Sequence, residues 1–78
     1  MDWTIETKHH VPLRTAKRKK IRDHGSHNIN PDGSATCYRI QNGEEGTGWT
    51  TWKAEAEMWL DMLKAGYRPV AAQTYRLP

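Results

Sequence analysis

Among its 78 residues the chain has one cysteine, no phenylalanine and no long apolar run. A lone Cys37 has no second thiol with which to close an internal disulfide, so packing must supply the stability, and the expected compartment is reducing and cytoplasmic. No stretch nears the roughly 18 consecutive apolar residues of a membrane span. The opening MDWTIETKHH has neither a basic leader nor an apolar signal core, so no membrane partner is expected. A chain this short is expected to form one domain over residues 1–78, with much of its surface wet and no room for a deep cleft between two lobes. Internal repeats are absent, and the only biased stretch is a run of charge.

That run is RTAKRKKIR, residues 14–22, which holds six of the twelve Lys and Arg residues. The formal charge of +3 hides a strong asymmetry. Residues 8–27 carry seven basic side chains against Asp23 alone, together with all four histidines, whereas residues 28–78 carry five basic and six acidic ones. Clustered cations neutralise phosphates and release their counterions, so Arg14, Lys17, Arg18, Lys19, Lys20 and Arg22 are the first candidates for contact with nucleic acid. An acidic protein surface, or simple solubility, accounts for the same residues. The conformation of this segment stays open: a helix from Leu13 to His24 entered at Pro12 and stopped at Gly25, an extended arm, or a strand at 19–23 paired with 26–30.

The second half reads more plainly. Pro31-Asp32-Gly33 is turn chemistry, and the alternation after it predicts a strand with Thr36, Tyr38 and Ile40 on the inner face and Ala35, Cys37, Arg39 and Gln41 on the other. A second turn at NGEEG, residues 42–46, with Glu44 and Glu45 exposed in it, leads into a short strand at 47–50 carrying Trp49, which completes a meander. Trp52, Ala56, Trp59, Leu60 and Leu63 then line one stripe of a helix spanning about 51–65. Thr50 or Thr51 is its expected N-cap, and Gly66 suits the left-handed position beyond its end. Each terminus has residues for an edge strand: Trp3 and Ile5 at one, Val70, Ala72 and Tyr75 at the other. The predicted class is α+β, a three- to four-stranded antiparallel sheet packed on one main helix.

Of the four tryptophans, Trp52 and Trp59 are expected in the core, while Trp3 and Trp49 serve either the core or as anchors in a partner's pocket. His24, His27 and Cys37, with His9 and His10 upstream, match no usual zinc spacing, so no metal and no cofactor is expected. HHVPL, residues 9–13, resembles the first half of an HNH-type nuclease motif, but the helix at 51–65 lacks the His and Asn of its second half. No paired carboxylates or Ser-His-Asp set can be placed in a pocket, and an enzyme is not expected.

Taken as three strands and a helix, residues 27–65 resemble the sheet-plus-helix DNA-binding domains of the AP2-like and integrase arm-binding type. That resemblance implies Arg39, Gln41 and Thr47 turned outward toward DNA, braced by Tyr38, Ile40, Trp52, Trp59 and Leu63. In size and build the chain also resembles small phage accessory proteins, including anti-CRISPR proteins, which implies a binder that blocks a host nucleic-acid machine. The expectation is a non-enzymatic binding protein, monomeric or dimeric, whose basic segment, assisted by Arg39, engages nucleic acid or a nucleic-acid-handling complex. The alternative is a phage-type inhibitor anchored by Trp3 or Trp49.

Overall fold

A computed structural model of the chain describes residues 2–12, 14 and 29–78. Its elements are β1 (Thr4–Val11), β2 (Ala35–Gln41), β3 (Glu45–Thr47), the helix α1 (Lys53–Lys64) and β4 (Thr74–Arg76). The strands form one antiparallel sheet in the order β1-β2-β3-β4, so both termini do add edge strands to a meander. No helix among the described residues is long and apolar enough to cross a membrane. The three proposed conformations of the basic segment fall mostly on residues outside those described, as do Lys17, Arg18, Lys19, Lys20 and Arg22.

The turns follow their sequence chemistry. Asn30 accepts the Gly33 amide at 2.9 Å, while the Asp32 carboxylate accepts the amide and hydroxyl of Ser34 at 2.9 and 2.6 Å. Gly33, with φ of +86°, takes the left-handed step that a side chain resists. Between β2 and β3, Asn42 Oδ1 accepts the amides of Glu44 and Glu45, and Gly43 supplies the positive φ.

Helix α1 ends as its sequence predicts and begins otherwise. At the C-terminus the Tyr67 amide donates to Met62 and the Gly66 amide to Leu63, with Gly66 at φ +91°, a Schellman closure. At the N-terminus the cap is Trp52 instead of Thr50 or Thr51. Thr50 is fully buried and bridged to Tyr38, so its hydroxyl reaches only the Trp52 amide at 3.2 Å, one step before the helix. Trp52 keeps an extended backbone, which throws its side chain off the helical stripe and leaves it 41% exposed. The expected core role of Trp52 is therefore corrected, and Glu55 joins Ala56, Trp59 and Leu63 on the buried face.

The core lies between α1 and one face of the sheet: Ile40, Ala56, Trp59, Leu63 and Ala72, flanked by Trp3, Ile5, Tyr38 and Leu60. Ile40 and Tyr38 face inward as predicted, but Ala35 and Cys37 on the opposite face are also buried, so this end of β2 is covered on both sides. Thr47, expected outward, is buried too: its hydroxyl accepts the Ile40 amide at 3.0 Å and donates to the Gly48 carbonyl at 2.9 Å.

Candidate functional site on the outer sheet face

Alternation along the strands decides what faces away from α1. With Ile5 and Ile40 inward and paired in register, Thr4, Glu6 and Lys8 of β1 and Cys37, Arg39 and Gln41 of β2 project outward, cross-strand partners of one another. Trp49 joins them because the return strand carries one extra residue. Gly46 stands opposite Gln41 and Thr50 opposite Tyr38, so four steps on that side match three on β2. Strict alternation would send Trp49 inward; the bulge turns it outward, beside Arg39.

Lys8 Nζ lies 4.9 Å from the centroid of the Trp49 ring and Arg39 Cζ lies 4.8 Å from it, both within cation–π range. Arg39 is also held by Glu6 through two hydrogen bonds, Nε to Oε2 at 2.8 Å and Nη2 to Oε1 at 3.2 Å. Bidentate geometry fixes the guanidinium plane against the indole, and the Glu6 carboxylate offsets the charge that Arg39 presents to an external anion. Gln41 is occupied as well, donating to Thr4 Oγ1 at 2.9 Å and accepting the Gly43 amide at 2.7 Å. Beneath this cluster, burial pushes the Cys37 thiol upward against the opposing pull of Lys8. Among the described residues no His, Cys, Asp and Glu side chains group into a metal site; His24 and His27 lie outside them.

The other predicted positions separate. Arg14 is exposed just beyond the end of β1, close in sequence to Lys8. Trp3 is half-buried and packs against the core, while Trp49 is half-buried under its two cations. Glu45, read as an exposed turn residue, is half-buried in β3 and grips Arg68 at 2.9 and 3.3 Å. Arg68 also donates to Thr74 at 2.7 Å, tying the segment after α1 to β3 and β4. The Arg68 guanidinium holds the Glu45 carboxyl below its usual range, and Glu45 raises Arg68 in return.

His10, Asp32 and Ser34 meet at the far end of β1. His10 sits at φ +57° in the irregularity between Lys8 and Val11, with Nδ1 3.0 Å from Asp32 Oδ2. An ionised carboxylate only accepts, so Nδ1 carries the proton. A nucleophilic triad needs the serine and the carboxylate on different ring nitrogens. Here Ser34 donates to Asp32 and lies 3.5 Å from the same Nδ1, an arrangement that locks the 30–34 turn to β1. Hydrogen bonds from Ser34, helped by His10, lower Asp32 to about 2. Because that value lies below the unfolded one, the lock contributes above the usual carboxylate range and is lost as pH falls from about 4 toward about 2. Amide exchange at Ser34 should accelerate across that window in the wild type and be pH-insensitive beyond the intrinsic rate in Asp32→Asn; equal profiles would refute the lock.

The sequence alone offered Tyr38 and Arg39 as aromatic and cation on opposite faces of β2, and the pairing of Arg39 with Trp49 was missed because it depends on the bulge. A return strand one residue longer than its partner, with two glycines flanking Thr47, was the available signal. Compared with protein-family models, with curated proteins and with solved structures, the chain matches none of them.

Proposed function

We propose that this protein is a non-enzymatic nucleic-acid-binding protein that uses the outer sheet face and the cations of the basic segment. The observation that carries the reading is the seating of Lys8 and Arg39 on Trp49, at the strand that leads directly into RTAKRKKIR. Two cations held on an aromatic platform of the outward face offer positive charge to a phosphate. The run at 14–22 supplies the remaining charge: Arg14, Lys17, Arg18, Lys19, Lys20 and Arg22 contact phosphate, and Arg39 assists by holding Trp49 in place. Capture of a nucleic-acid-handling complex, as by an anti-CRISPR-like inhibitor, is the competing reading, and it would rest on Trp49 as an anchor in a protein pocket.

Fluorescence anisotropy of labelled oligonucleotides across a salt series tests the proposal. Affinity should fall by about 10²- to 10⁴-fold between roughly 50 and 200 mM salt if several phosphates are engaged, and the double change Lys19→Ala with Lys20→Ala should flatten the log–log slope by between one and two. Absence of binding at low salt, together with recovery of one protein partner from nuclease-treated and untreated lysate alike, would replace this reading with the inhibitor.

A further inference from the structure

The register of the sheet places Thr4, Gln41, Gly46 and Tyr75 in one row across all four strands. Gly46 contributes no side chain to the outer face; Leu77 lies over it, so closely that a Cβ there would sit 2.9 Å from Leu77 Cδ2. At the end of the row Tyr75 is 57% exposed, its hydroxyl donating to Gln73 at 2.9 Å along the edge strand. From the strand and residue spacings, Tyr75 and Trp49 lie on the order of 8 Å apart on this face.

Resting on the nucleic-acid reading above, we propose that the ligand is single-stranded nucleic acid, with a base stacked on Tyr75 and its neighbours running toward Trp49 and Lys8. Reading base edges in a duplex groove requires free forked side chains on the contact face. The two such groups that β2 turns outward among the described residues are committed: Arg39 to Glu6, and Gln41 to Thr4 and Gly43. The outer face also mixes Glu6 with Lys8 and Arg39, so it is poorly charged for lying against two phosphate backbones. What it does present is the exposed ring of Tyr75, which an unstacked base can use and a duplex, with its bases buried in the stack, cannot. Stacking is tolerant of base identity, so weak sequence preference follows from the same geometry.

The test uses the full chain with three probes at one low salt concentration: an oligothymidylate of about ten nucleotides, a mixed-sequence duplex of the same length, and inorganic polyphosphate. The single strand should bind about tenfold or more tighter than the duplex. Tyr75→Ala should weaken single-strand binding by about 5- to 100-fold while leaving polyphosphate binding and the salt slope unchanged, and Tyr75→Phe should retain it. Because Tyr75 is exposed, circular dichroism of both variants should match the wild type. Equal or tighter binding of duplex, or an unaffected Tyr75→Ala with the salt slope intact, overturns the single-strand assignment and leaves the nucleic-acid reading standing. No binding of either oligonucleotide removes both.

Discussion

Trp59→Ala should destabilise the protein by about 3–5 kcal/mol, a large share of its total stability. The indole is 1% exposed, and around it pack Ile40, Ala56 and Leu63 from β2 and α1. Truncating a buried aromatic of this size costs about 3–5 kcal/mol. At roughly 0.05–0.15 kcal/mol per residue, a chain of this length has about 4–12 kcal/mol in total, and with no Phe to repack into the void the loss is not recovered locally. Trp59→Phe should behave differently. Trp59 Nε1 is buried with no hydrogen-bond acceptor among the described residues, and an unpaired buried donor costs about 1–3 kcal/mol. Removing it offsets much of the lost packing, so Trp59→Phe should lie within about 1.5 kcal/mol of wild type by urea denaturation followed by circular dichroism. A Trp59→Ala protein that unfolds cooperatively within about 1 kcal/mol of wild type would show that α1 is not what holds the sheet.

The helix was legible because its signals are local and agree: Ala56, Trp59 and Leu63 recur at helical spacing, and Gly66 can take the left-handed step that closes it. The two turns were legible for the same reason, since Asp32, Gly33, Asn42 and Gly43 determine their own backbone. Trp52 misled because periodicity assigns faces only inside a helix, and its backbone is still extended. Thr47 misled because the resemblance to sheet-plus-helix DNA-binding domains turned it outward, whereas here its hydroxyl replaces a ladder partner inside the sheet. The alternation on β2 was right for Tyr38 and Ile40, yet it gave no hint that Ala35 and Cys37 would be buried on the other side, because small apolar residues carry little signal of their own. The candidate site was half legible. Arg39 and Gln41 do point outward, but their commitment to Glu6 and Thr4 depends on the pairing of β1 with β2, between residues more than thirty positions apart in the chain. Such contacts leave no local pattern to read.

Thr47→Val should destabilise the protein by about 1–3 kcal/mol although it preserves shape and raises hydrophobicity. Thr47 is 3% exposed, and the extra residue between Gly46 and Thr50 leaves the Ile40 amide to the Thr47 hydroxyl, with the Gly48 carbonyl accepting the hydroxyl proton. Valine strands the Ile40 amide in the middle of the core strand and removes the donor from Gly48, whereas Thr47→Ser keeps both bonds and should cost under about 1 kcal/mol. Hydrogen exchange localises the effect: the Ile40 amide should lose protection in Thr47→Val and keep it in Thr47→Ser. The same hydroxyl stabilises the bulge that turns Trp49 outward, so loosening it should also disturb the seating of Lys8 and Arg39 on the indole and weaken oligonucleotide binding. Thr47→Val that retains full Ile40 protection and full affinity would mean that the extra residue, and not the threonine hydroxyl within it, sets the position of Trp49.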